Sequence, residues 1–510
     1  MSQQNAADVG GAAVALAPGG SRRRGNVSQK VAVSAVFVAA MFMSIMDTTI
    51  VNVALPTIGR AFRVGPTDID TIAIGFLVSL AVFIPASGWL GDRFGGKRVL
   101  LAAIALFTLA SALCGTAANL AELVGYRVLQ GVGGGMMAPV GMAMLFRAFP
   151  PEERVRASAI LTIPTTLAPA LGPVIGGLLV TDASWRWIFY VNVPIGAAAM
   201  CFGALFLEQA RQDKPGRFDA PGFLLAGAGL GLLMYGVSEG PDRGWGSTAV
   251  LATAIPGVVL LICMVAVEMK APEPIVALRL LANRLFRSGN EVMVLVSIAF
   301  LGTLYAISLY YQDGRHMSAL QSGLSTFPEA LGVMAGAQIA SRVVYPRLGP
   351  RRHITLGLLG VTAVIVGIAF LGPTGSLWWA RTLMFALGLF MGQVFVPTQA
   401  ATFATISPAS TGKASTLFNA VRQLGGAVGV ALLTTAIVLA GPTTLAHGRL
   451  SPHFVAYRVA FLVAAAFSLS ATVGSLAMND AEAAPTMQLR RRAAARSGRR
   501  RVSSAPARAD

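Results

Sequence analysis

Asp47, Arg127, Glu329, Arg381 and Arg422 stand inside long apolar stretches of the chain, where a charge is expensive, and they are the first candidates for chemistry. Asp47 lies eight residues before Leu55 and Arg127 four after Leu123. At 1.5 Å per helical residue this is roughly 12 and 6 Å from one end of their segments, so the two share a depth. An acid in hydrocarbon faces a polar cavity, finds a partner or takes up a proton. Paired with Arg127, Asp47 is therefore either half of a static ion pair or a proton-operated switch. Glu329, five residues after Leu324, reads as a second titratable group or an anchor for a cationic substrate; the alternative is a helix-end residue facing outer water. Asp313, Arg315 and His316 read as a solvated cluster beside it, and Glu291 as an acid tolerated at a helix start.

The elements that must position these groups follow from composition. Of 510 residues 55% are hydrophobic and 12% charged, half the charged share of a soluble domain, which excludes a single water-soluble globule. The apolar residues fall into fourteen segments long enough to cross hydrocarbon as helices, from Val31–Leu55 to Val459–Met478. They group as six, two and six: residues 1–30 form an N-terminal tail, 31–207 a first six-helix bundle, 208–291 a linker with two extra spans, 292–478 a second bundle, and 479–510 a basic tail expected to lack structure. The net charge of +18 marks membrane topology rather than a nucleic-acid partner. With the N-terminus cytoplasmic, basic residues concentrate on the inner side even when both tails are set aside, and an even span count returns the C-terminus to the cytoplasm. Cys114, Cys201 and Cys263 all fall in apolar runs, so neither a disulfide framework nor a CxxC metal site is available.

The chain also repeats itself. Gly91-Asp92-Arg93-Phe94-Gly95-Gly96-Lys97-Arg98 and Pro346-Arg347-Leu348-Gly349-Pro350-Arg351-Arg352 align at an offset that also carries Arg127 onto Arg381. Parallel six-helix repeats are the logic of a rocking transporter with its site between the halves.

On these residues the sequence resembles the major facilitator superfamily, and within it the fourteen-helix drug:proton antiporter branch. The likeness rests on Asp47-Thr48-Thr49-Ile50-Val51-Asn52-Val53-Ala54-Leu55-Pro56, on Gly88 to Arg98, on Arg127-Val128-Leu129-Gln130-Gly131 and on Gly172-Pro173-Val174-Ile175-Gly176-Gly177. It implies an all-α polytopic membrane protein, two six-helix bundles around a cavity plus two extra central helices, exporting small lipophilic or cationic compounds in exchange for protons across the cytoplasmic (inner) membrane. By the same resemblance, Asp47 and Arg127 couple transport to protons. Gly88, Asp92, Arg93, Gly95 and Lys97 form a tight inner loop that latches the halves, Asp92 pairing with the positive end of a second-half helix. Gly172, Pro173, Gly176 and Gly177 mark an antiporter, and Gln130 joins Glu329 as a candidate substrate or proton site. Pro346 stands where the repeat would need the latch aspartate, so the second copy is expected to be weaker.

Other function classes fit poorly. Ser407-Pro408-Ala409-Ser410-Thr411-Gly412-Lys413-Ala414 lacks the first Gly and the terminal Ser/Thr of a phosphate-binding loop. Gly131-Val132-Gly133-Gly134-Gly135 lies mid-membrane with no strand before it, and reads as helix packing. A membrane enzyme needs a polar catalytic domain or acidic outer loops, and the longest outer connections offer only Asp68 and Asp70. No cofactor is expected, the energy coming from the proton gradient. The partners are a small-molecule substrate, protons and the bilayer, with an adaptor protein where the host has two membranes. A dedicated exporter of one metabolite or antibiotic remains the alternative, ahead of a proton-coupled uptake symporter.

Overall fold

Long apolar stretches satisfy their backbone only as helices in a bilayer, and local caps set where these begin. Ser28, Asn119, Ser247 and Asn283 accept hydrogen bonds from backbone amides three residues on, and Ser318 forms a reciprocal capping box with Gln321. The computed structural model describes residues 27–64, 69, 71–209, 217–272, 274–373, 375–441, 443–446 and 449–487. The first bundle comprises α1 (Gln29–Phe62), α2 (Thr71–Phe94), α3 (Gly96–Thr116), α4 (Leu120–Ala148), α5 (Arg154–Asp182) and α6 (Trp187–Phe206). The linker pair is α7 (Ala220–Arg243) and α8 (Thr248–Lys270). The second bundle is α9 (Arg284–Leu309), α10 (Ala319–Ile339), α11 (Tyr345–Ala369), α12 (Leu377–Thr402), α13 (Thr411–Leu439) and α14 (Phe454–Leu476). A short antiparallel hairpin, β1 (Thr443–Ala446) and β2 (Arg449–Pro452), joins the last two helices.

Among the described residues, twelve helical stretches are long and apolar enough to span a membrane. One of them, Gln321–Ala369, is 49 residues long and holds Gly349 at φ 76°, where two helices meet. Helix α5 carries a further apolar stretch, Leu167–Asp182. The fourteen segments read from the sequence thus each have a helix. Several boundaries differ: α9 begins at Arg284, so Glu291 lies two turns inside it rather than at its start, and two further shifts move the motif residues. Helix α1 runs through Pro56 to Phe62, where Arg63 at φ 57° closes it, so Asp47 lies near its middle rather than close to one end; a membrane helix tolerates such a proline. Gly88 to Phe94 is the last part of α2, not a loop. Gly95 at φ 87° makes the whole turn into α3.

The repeat is visible in the backbone. Gly349, the counterpart of Gly95, shares its left-handed φ, a conformation that favours glycine. Both bundles also press their second and fourth helices into near backbone contact. In the first, a methyl on Gly131 or Gly135 of α4 would collide with the Phe76 and Leu80 carbonyls of α2. In the second, Gly332 and Gly336 of α10 lie against Phe385 and Leu389 of α12, while Gly388 and Gly392 lie against Glu329 and Val333. Small residues let helix backbones approach closely in lipid. The Gly131 run is therefore a packing seam, as its position in the sequence indicates.

The linker helices are central in sequence but peripheral in space. Gly227 and Gly231 of α7 lie on Val82 of α2, and Gly229 of α7 meets Leu261 of α8. Only 17% of the α8 span is buried.

Candidate functional site

Asp47 is fully buried, and three side chains converge on its carboxylate. Arg127 on α4 forms an ion pair with Oδ2. Gln130, one turn along α4, donates from Nε2 to Oδ1 at 2.8 Å, and Asn192 on α6 donates from Nδ2 to the same oxygen at 3.1 Å. Arg127 is itself 1% exposed. It also donates to Gln130 Oε1 at 2.8 Å and to the Ile72 carbonyl at 3.4 Å, and its guanidinium lies 4.2 Å from the centre of the Phe76 ring. The acid and base are thus held by four helices: α1, α2, α4 and α6. Asn192 escapes the sequence reading; a lone polar side chain in the apolar Ile188–Leu207 segment was its only signal.

Helix α5 leans on α1 beside this cluster. A methyl on Gly172 would stand 2.8 Å from Thr49 Cβ and 3.3 Å from the Ile50 amide, and one on Gly176 would stand 2.8 Å from Ile50 Cγ1. Gly177 faces open space, and the Pro173 side chain lies outside the described residues. The glycine stretch therefore sets how closely α5 packs on the helix that carries Asp47.

A second polar centre lies at the face where α1 begins and α14 ends, called here the terminal face. Gly88 and Asp92 of α2 oppose the first turns of α13. A methyl on Gly88 would sit 2.6 Å from Thr416 Oγ1, and one on Gly412 would sit 3.0 Å from Asp92 Oδ1. The acid therefore stands at the positive end of a second-half helix. It also accepts from Arg147 Nη2 at 2.7 Å, and Arg147 Nε donates to the Pro408 carbonyl at 3.3 Å. Arg147 carries Asp92 across to the other half, a role invisible in sequence because it depends on the end of α4 meeting the α12–α13 turn. Lys97 does not cross: its Nζ donates to the Ala204 and Leu207 carbonyls at 2.8 and 2.6 Å, capping α6. Arg93 is exposed.

These contacts belong to a wider closure. At the terminal face Arg154 of α5, 5% exposed, donates to the Phe403 carbonyl. Phe146 of α4 packs on Phe403, with Phe286 and Phe418 around it, in an apolar cluster drawn from both halves. At the opposite face, the cluster around Ile50, Ile72, Trp185 and Phe189 is built from the first half alone. The halves are closed at the terminal face.

Glu329 is 7% exposed and has no hydrogen-bond or ion-pair partner among the described residues. Helix α10 begins five residues before Leu324, so Glu329 lies well inside it against α12, which removes the helix-end reading. Of the expected solvated cluster, Asp313 and His316 are exposed beyond α9, but Arg315 is half-buried with its Nη1 out of contact with solvent. Arg381, the counterpart of Arg127, lies 5.1 Å from the Trp378 ring centre. The position that repeats Asp47 is Leu301, so the second half keeps the base without the acid.

The model for the Major Facilitator Superfamily matches residues 37–430. The chain belongs to that superfamily. Among relatives of this superfamily member, a multidrug resistance protein B homolog of Mycobacterium tuberculosis is 33% identical over 444 residues, covering 83% of this chain and 81% of its own length. The tetracenomycin C resistance and export protein of Streptomyces glaucescens is 32% identical, covering 78% and 74%. A solved structure of the human organic anion transporter MFSD10 superposes with a TM-score of 0.65 at 16% identity, covering 88% of this chain and 100% of that one. The all-helical facilitator fold and multi-pass membrane placement follow.

Proposed function

We propose that this superfamily member is a drug efflux transporter of the cytoplasmic membrane that exchanges protons for small lipophilic or cationic compounds by alternating access. The observation that carries the coupling is the Asp47–Arg127–Gln130–Asn192 cluster, a buried acid held by a cation and two amides at mid-membrane. Protonating Asp47 removes the charge that holds Arg127, and the freed guanidinium retains only Gln130, the Ile72 carbonyl and the Phe76 face. Because α1, α4 and α6 meet there, their packing shifts, and α5 moves with α1 through Gly172 and Gly176. The terminal face, taken as cytoplasmic, is closed in this conformation by Asp92, Arg147 and the Phe403 cluster. Exit of substrate is then to the opposite side. An inward proton crossing about 100 mV releases about 2.3 kcal/mol, which sets the scale of the uphill export one proton can drive. The relatives' names, multidrug resistance and tetracenomycin C resistance and export, support efflux as the direction.

Compound-induced proton release from energised inverted vesicles tests this reading, and it must disappear in Asp47→Asn. The likeness to an export protein named for one compound favours a second reading, a dedicated exporter. A panel in which a single chemotype evokes release supports that reading over broad specificity.

A further inference from the structure

Residues 479–487, expected from sequence to belong to an unstructured tail, stay packed on the molecule after the last membrane helix. Asn479 to Met487 folds back beneath the second bundle and reaches the first. Asp480 Oδ1 accepts from the Arg351 amide at 2.9 Å, fixing the segment to the Gly349 turn within α11. Ala483 is fully buried in the second-bundle core. The Thr486 hydroxyl lies 2.7 Å from the Tyr345 hydroxyl, with both side chains buried. Met487, 1% exposed, completes an apolar cluster with Val155 and Ala159 of α5 and with Ala337, Tyr345, Val396 and Ala400 of the second bundle. The Ala484–Thr486 turn packs against the Pro151–Glu153 turn between α4 and α5. One short segment thus touches both halves on the face that is closed.

We infer that residues 479–487 are a clasp that holds the terminal face shut and must let go of α5 before that face opens, so this segment sets how readily the inward-open state is reached. The inference rests on the alternating-access reading, but not on protons or on any particular substrate. Rocking that separates α5 from α10 and α12 pulls Val155 and Ala159 away from Met487, which exposes an apolar side chain sealed from water in the closed state. The Tyr345–Thr486 bond anchors the clasp on the second half, so weakening it frees the segment without altering either bundle.

The test places Val396→Cys in the buried cluster and measures its modification by a membrane-impermeant maleimide in inverted vesicles, with labelling of the parent chain subtracted. Tyr345→Phe keeps the ring and removes the hydroxyl. Labelling should rise about fivefold, the contribution of one buried hydrogen bond. Met487→Asp and a chain ending at Met478 should raise it further. Rates within about twofold of the parent in both point variants overturn the clasp, and they do so even where the shortened chain fails to fold. Because labelling needs neither substrate nor gradient, an unchanged rate leaves the antiport reading standing, and a failed antiport assay leaves the clasp standing.

Discussion

Removing both members of the Asp47–Arg127 pair should cost less than the sum of the two single removals. In Asp47→Asn, Arg127 stays charged, 1% exposed, with only neutral acceptors at Gln130 Oε1 and the Ile72 carbonyl. Breaking a buried pair from one side costs about 3–5 kcal/mol, and these remaining partners place the loss near the lower end, about 3. In Arg127→Met, Asp47 keeps the Gln130 and Asn192 amides and can also neutralise itself by binding a proton, which reduces the loss to about 2 kcal/mol. The double variant buries no charge and nearly conserves volume, so its cost should be about 2 kcal/mol. The coupling energy is then about 3 kcal/mol, the upper range for residues in contact. Reversible unfolding in mixed detergent micelles measures all four corners of the cycle. A coupling below about 0.5 kcal/mol, the value of an exposed surface pair, refutes the reasoning, because it means water reaches the cluster.

Ala at Gly131, in the α2–α4 seam, should destabilise by about 1–3 kcal/mol through overpacking, with Gly125→Ala, which meets nothing, as the neutral control in the same unfolding assay. Ala at Gly95 or Gly349 should each cost about 1–3 kcal/mol, because both hold φ near +80°; a loss at only one would contradict the structural equivalence of the two turns. Asp92→Asn leaves Arg147 half-buried without its acid and should lower the closed-to-open ratio of the terminal face about fivefold, equivalent to about 1 kcal/mol. Distance distributions between spin labels on Arg98 and Arg352 read that ratio, and an unchanged distribution excludes Asp92 from the latch.

Much of this architecture is legible in the sequence because hydrocarbon enforces it. Apolar runs of about 20 residues must be helices, a repeat that carries Arg127 onto Arg381 must place two bundles side by side, and an acid in such a run must have company. What the sequence hides is set by tertiary contact. Leu55-Pro56 looks like a helix end, yet α1 continues to Phe62 because a membrane helix absorbs a proline. Gly88-Trp89-Leu90-Gly91 looks like a loop, yet it is helical: Gly88 serves close approach to α13, and the turn is left to Gly95. Asn192 and Arg147 carry no motif of their own; they matter because α6 reaches Asp47 and because the end of α4 reaches Pro408. The second seam draws its glycines from both α10 and α12, whereas the first draws Gly131 and Gly135 from α4, which also conceals a shared seam, since the repeat conserves the backbone approach more than the positions that permit it.

The central claim is that Asp47 links protons to transport. Proton release from energised inverted vesicles on addition of cationic and neutral lipophilic compounds, compared between wild type and Asp47→Asn at matched amounts of folded protein, tests it most directly. The account predicts release by the wild type and none by the variant, with compound binding retained in both. Release that survives undiminished in Asp47→Asn contradicts it and moves the proton to another buried acid, with Glu329 the first to replace.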